Sequence, residues 1–114
     1  MESDQVYFIT KAKEHLEYCN YKIEGYWDEN DNFYEIITLK QPLFIQLSCY
    51  DIKRQFQEKN SPYLIKIKFL LKQDLSQDND HNNIAEMTLI YDSNFHFIDE
   101  NWLINVNSNF VISS

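Results

Sequence analysis

From Tyr63 to Lys72 the chain alternates without a break: Ile65, Ile67, Phe69 and Leu71 fall on one side, and Leu64, Lys66, Lys68 and Leu70 on the other. A period of two is the signature of a β-strand. One face is fully apolar and has to be covered, while the other carries lysines and suits water. That is the pattern of an antiparallel sheet with its helices packed on one side. A second such run, Ile84 to Asp92, turns at Ser93-Asn94 into a third, Phe95 to Asp99. In such a meander Lys66 and Lys68 are placed to pair across the sheet with Glu86 or with hairpin acids.

The remaining elements follow from the same patterns. Val6, Ile9, Ala12, Leu16 and Cys19 recur at helical spacing, which predicts a helix capped by Ser3 or Asp4 and running to about Cys19. Tyr21, Ile23, Gly25 and Trp27 alternate with Lys22, Glu24 and Tyr26, and Phe33 to Leu39 reads as a partner strand. The polar loop Asp28 to Asn32 makes the two a hairpin. Glu24 and Glu35 are placed on its facing strands, as a solvated pair. Pro42 breaks the chain before a short strand, Leu43, Ile45 and Leu47. Ser48 and Asp51 then resemble a helix cap, with Cys49, Ile52 and Phe56 on the buried face of a helix ending near Lys59. The turn Asn60-Ser61-Pro62 follows. Residues 102–112 fit a strand through Trp102, Ile104 and Val106, and equally a helical turn through Trp102, Leu103 and Val106.

The expected fold is therefore α+β, a single domain over 1–114. It has a single antiparallel β-sheet of about five to six strands, with an N-terminal helix and a short middle helix packed on one face. Cystatin-like and NTF2-like architectures share this element order, a likeness of fold alone that no residue motif carries further. With 44% apolar and 16% aromatic residues, the chain can build its core without metal or disulfide staples. Gly25 is the only glycine. Left-handed turn positions then fall to asparagine, whose short side chain tolerates them. The acidic N-terminus, MESDQVYF, has neither the basic nor the apolar part of a leader, and Cys19 and Cys49 form no disulfide framework. The expected location is cytoplasmic.

Charge is distributed unevenly. After Lys72 there is no lysine or arginine, and Asp74, Asp78, Asp80, Glu86, Asp92, Asp99 and Glu100 supply seven of the net eight negative charges. Phosphate recognition draws on clustered Lys and Arg, so nucleic acid and anionic membranes are disfavoured as partners and a basic protein is favoured. Solubility alone is the competing explanation of the acidic segment.

Catalytic and metal motifs fail on inspection. Asp28, Asn30 and Asn32 have the spacing of a calcium loop, but Phe33 and Leu39 stand where the turn glycine and the bidentate Glu belong. Starting from Asp78, those places hold Asn83 and Leu89. His15 and Cys19 lie one helical turn apart without a second ligand pair. No nucleophile elbow or phosphate-cradling glycine loop is present. No catalytic residue, cofactor or metal ligand is assigned. The candidate partner-binding residues are Asp74, Asp78, Asp80, Glu86, Asp92, Asp99, Glu100, Asp28, Glu29 and Asp31, with Trp27 and Tyr34 as aromatic anchors.

The expected function is that of a non-enzymatic acidic inhibitor, an immunity protein or antitoxin that neutralises a basic, nuclease-type bacterial toxin. Two alternatives share its features in part. One is a phage-encoded, anti-CRISPR-like inhibitor of a bacterial defence complex. The other is a cystatin- or NTF2-like small-ligand-binding domain.

Overall fold

A computed structural model describes residues 2–54, 63–73 and 83–113 of the chain. Among them lie one helix, α1 (Glu2–Tyr18), and seven strands: β1 (Lys22–Trp27), β2 (Phe33–Leu39), β3 (Phe44–Arg54), β4 (Tyr63–Lys72), β5 (Asn83–Tyr91), β6 (Phe97–Ile104) and β7 (Val111–Ser113). No helix among the described residues is long and apolar enough to cross a membrane.

α1 begins at Glu2, ahead of the residues read as its cap. Ala12 and Leu16 are fully buried, whereas Val6 is exposed and Phe8 packs against the core in its place. The helix closes with Tyr21 N–H on the Leu16 carbonyl (2.9 Å) and Asn20 N–H on the Glu17 carbonyl (3.1 Å), with Asn20 at φ 57°. This is the Schellman arrangement, and asparagine takes the left-handed position that glycine usually fills.

β3, β4, β5 and β6 form a four-stranded antiparallel sheet in that order. Its register stacks Ile65 with Tyr91, Ile67 with Leu89, Phe69 with Met87 and Leu71 with Ala85 on one face. Ile67, Phe69, Leu71, Met87 and Leu89 have no exposed surface. Burial of each such side chain contributes roughly 1.5–3 kcal/mol, so this face dominates the stability of the fold. α1 lies over it, with Phe8 against Tyr50 of β3 at 5.3 Å and His15 against Phe97 of β6 at 5.0 Å between ring centroids.

The single sheet expected from the sequence is instead two. β1, β2 and β7 form a separate three-stranded antiparallel sheet, ordered β1-β2-β7. Its Ile23, Tyr26, Ile37 and Leu39 join the same core as the larger sheet. Alternation shows that a segment is a strand but says nothing about which edges pair, so the break between sheets has no local signal.

The expected middle helix is also corrected. Ser48 to Arg54 continue β3 as a strand, and residues 55–62, where the rest of that helix and its following turn were expected, lie outside the described residues. The reason is pairing: the ladder to β4 continues from Cys49–Lys68 to Arg54–Tyr63, and this tertiary contact overrides the local cap signal of Ser48 and Asp51. Leu47 pairs with Phe69 and Cys49 with Lys68, so a bulge places one extra residue in β3 at Ser48. Ile45, Leu47, Tyr50 and Ile52 share one face of β3, with Tyr50 and Ile52 more than half exposed. At the other end of the chain, Trp102 to Ile104 belong to β6 and Val111 begins β7, so the ambiguous segment is strand up to Ile104, turn through 105–110 and strand again from Val111.

Gly25 re-aims β1. Ile23 and Tyr26 are both buried, although an even strand would put them on opposite faces. The hydrogen bonding shifts with them. Leu39 N–H donates to the Tyr21 carbonyl (2.8 Å) and Asp28 N–H to the Asn32 carbonyl (3.0 Å), seven residues apart along β1. Bonded pairs in an unbroken antiparallel ladder recur every two residues, so the phase must change between them. Gly25, at φ 70°, is where it changes. Beyond it Tyr26 points inward and Trp27 outward, the reverse of the expected assignment.

Candidate interaction site

Two hairpins with an acidic first residue share the same construction. In the first, Asp28 Oδ1 accepts the Asn30 and Asn32 amides, both at 2.9 Å, and Oδ2 accepts Asn32 Nδ2 and the Tyr34 hydroxyl, both at 3.1 Å. In the second, Asp92 Oδ1 accepts the Asn94 and His96 amides at 2.9 and 2.8 Å, and His96 Nδ1 lies 3.3 Å from Oδ2. Each loop passes through one left-handed residue, Asp31 at φ 64° and Phe95 at φ 64°. The Asn32 amide foremost holds the Asp28 carboxyl below its usual range, and the His96 amide does the same for Asp92. Partial burial pushes the Tyr34 phenol up, helped by its bond to Asp28. Asp28, Asp92 and Tyr34 thus serve their own turns.

The other expected site residues divide among several environments. Glu86 is on the outer face of β5 and pairs with Lys68 at 3.4 Å, so a cation from the first half of the chain neutralises it. Asp99 is exposed on the same face, and its Oδ1 accepts the Glu100 amide at 2.8 Å. Glu100 faces the other way, toward α1, where His15 Nε2 meets its Oε2. The bond from His15 holds the Glu100 carboxyl below its usual range against the opposing effect of burial, and the charge of His15 and the Trp102 indole N–H act in the same direction. Glu29 and Asp31 are exposed at the first hairpin tip. Asp74, Asp78 and Asp80 lie outside the described residues. Asp92 falls just past the end of β5 rather than on it. Glu24 and Glu35 are both exposed, and Glu24 pairs with Ile36 rather than with Glu35.

Trp27 is 61% exposed and Phe33, opposite it across the hairpin, 54%. Their rings meet at 4.9 Å, a solvent-facing aromatic pair at the end of the sheet. Large aromatic side chains held by a neighbour lose little freedom on contact with a partner.

Beside this pair, the two sheets leave a trench between β1 and β6. One cleft, of about 340 Å³, lies between Ile23–Trp27 and Asp99–Trp102. A second, of about 360 Å³, lies between the loop 28–30 and residues 83–86 and 103–107. Tyr26 borders both, and its hydroxyl accepts the Ile104 amide at 2.9 Å, bracing the small sheet against the large one. The described lining includes Glu24, Asp28, Glu29, Glu86, Asp99 and Glu100 and no Lys, Arg or His. Among the described residues, Asn83 Oδ1 is a buried trench atom without a hydrogen-bond partner, and the Trp102 indole N–H lies near the Glu100 carboxyl without meeting hydrogen-bond geometry.

Five of these six carboxylates are among the residues expected from the sequence to meet a partner, but their common location has no sequence signal. Glu24 is expected there only as half of a solvated pair, and Trp102 only within an ambiguous segment. The lone glycine inside an alternating strand was the available signal that β1 changes face there. Among the described residues no group of His, Cys, Asp and Glu is arranged to hold a metal ion. Comparison with protein-family models, with curated proteins and with solved structures finds no match for this chain.

Proposed function

We propose that this chain is an acidic binding protein that neutralises a basic protein partner, in the manner of an immunity protein or antitoxin directed at a nuclease-type toxin. The observation that carries the reading is the trench: six carboxylates line it, and with Glu86 paired to Lys68 and Glu100 to His15, four of them, Glu24, Asp28, Glu29 and Asp99, have no cation beside them among the described residues, next to an exposed Trp27–Phe33 pair. Nucleases present positive grooves to their substrates. An acidic trench steers such a surface into contact, and an adjoining aromatic pair slows its release. A phage-encoded inhibitor of a defence complex has the same surface, and the gene adjacent to this one distinguishes the two. The ligand-binding alternative calls for space between helix and sheet, where Leu16, Phe69 and Met87 are fully buried. The geometry therefore favours a surface over a pocket.

The test is association kinetics with the basic protein encoded beside this chain. Raising salt from about 20 to 300 mM is expected to slow association roughly tenfold or more. The combined variant Glu24→Lys with Asp99→Lys is expected to slow it comparably at low salt, and Trp27→Ala to speed dissociation instead. Reversal of Asp74, Asp78 and Asp80 to Lys measures what their loop adds. Association indifferent both to salt and to every reversal would remove the electrostatic reading.

A further inference from the structure

We propose that the slot between β1 and β6 takes up an extended, basic segment of the partner protein as an added β-strand, an inference that rests on the reading of this chain as an acidic binder. Asn105 N–H donates to the Ile84 carbonyl at 2.9 Å. In the β5–β6 register this turns the amides and carbonyls of Asn101 and Leu103 toward β5, and those of Glu100, Trp102 and Ile104 toward β1. Two outward amides already have partners, Ile104 on the Tyr26 hydroxyl and Glu100 on the Asp99 carboxylate. Trp102 N–H, between them, has none among the described residues. On the opposite wall, the Tyr21–Leu39 bond fixes the phase below Gly25, so the backbone groups of Glu24 also face the slot.

The two walls run in the same direction. Ile23–Trp27 flank Asp99–Trp102, and farther along both strands Tyr26 meets Ile104. A segment entering antiparallel to both can bond to each, making one continuous sheet ordered β7-β2-β1-segment-β6-β5-β4-β3. Tyr26 closes one end, which limits the insertion to about four residues at a rise of ~3.3 Å each. Asp99, exposed, is free to leave the Glu100 amide for a cationic side chain of the segment. Charge selects the occupant: Glu24 and Asp99 border the slot, whereas a second copy of this chain would bring a net charge of −8. Strand addition supplies affinity through the main chain, and alternate side chains supply selectivity.

The probe is a synthetic peptide of alternating lysine and valine, about ten residues long, compared with the same peptide N-methylated at alternate residues, which keeps the charge but loses half the strand's donors. The expected result is at least tenfold tighter binding of the unmethylated peptide, with the Trp102 amide exchanging at least tenfold more slowly in that complex. Equal binding of both peptides without protection of Trp102 overturns strand addition and leaves the acidic-binder reading intact. Binding of neither peptide, while the basic partner still associates in a salt-dependent way, also overturns it. If the partner too fails to associate, both inferences fall together. Self-association that protects Trp102 without peptide would identify a second copy as the occupant and overturn the basic segment.

Discussion

At the scale of single residues, backbone conformation and charge pairing act where side-chain volume does not. A Cβ on Gly25 would meet only Phe33 Cε1, at 3.9 Å, so space is available and the φ of 70° is the obstacle. Left-handed backbone costs an alanine roughly 1–2 kcal/mol. Gly25→Ala is expected to lower urea stability by about that amount and Gly25→Asn by less, because asparagine tolerates the region. An asparagine variant less stable than the alanine variant would contradict the backbone explanation. The His15–Glu100 pair sets a pH dependence. The Glu100 carboxyl titrates below its ordinary 4.5 in the fold, so the stabilisation is complete above that pH and is lost as pH falls through the lowered value. Glu100→Gln is expected to cost about 1 kcal/mol at neutral pH, with the gap to the parent protein narrowing below pH 4.5. Urea midpoints between pH 3 and pH 6 check this, and a gap that widened on acidification would reverse the assignment.

At the scale of elements, the sequence was most legible where alternation was unbroken and least where one residue disturbed it. β4 and β5 carry their inward residues at even spacing, and both hairpins announce themselves through Asp and Asn at the turns. β3 hid behind the cap-like Ser48 and Asp51, a local pattern that pairing with β4 from Cys49 to Arg54 overrides. Phe95 was hidden for a different reason. Nothing in its chemistry favours φ 64°, and what holds it is its surroundings, with its ring stacked on Tyr91 at 4.5 Å and against Tyr7 at 5.3 Å. Tertiary packing of that kind has no sequence period. The hairpin it belongs to depends on Asp92, the acceptor for two loop amides. Asp92→Ala is expected to raise hydrogen exchange at the Asn94 and His96 amides, with Ser93→Ala, at an exposed neighbour, as the control that leaves them unchanged. Unaltered exchange in Asp92→Ala would mean that the backbone bonds between Asp92, Phe95 and His96 suffice on their own.

At the scale of the whole molecule, the charge asymmetry read from the sequence proves to be several things at once. Lys68, from the balanced half, neutralises Glu86; His15, from the helix, engages Glu100; Asp92 supports its own loop. Among the described residues of that segment Asp99 remains outward-facing, and it meets Glu24 along the seam between the two sheets, a grouping that exists only because the sheets are separate. That seam is held open and in register at Tyr26, a buried residue whose hydroxyl is the acceptor for the Ile104 amide across it. Tyr26→Phe keeps the ring and leaves a buried amide without a partner, which costs about 1–3 kcal/mol. Because the bond joins two sheets rather than two neighbouring strands, the effect should be uneven. The β1–β2 hairpin should gain exchange at its amides well before β4 and β5 do, since opening it no longer breaks a contact to the larger sheet. The variant should also bind a basic partner more weakly even though no charge has changed, because the carboxylates contributed by β1 and by β6 lose their fixed spacing. Uniform loss of protection across both sheets, with partner affinity preserved, would show that the core alone sets the position of the small sheet and that the Tyr26 brace contributes nothing to the shape of the trench.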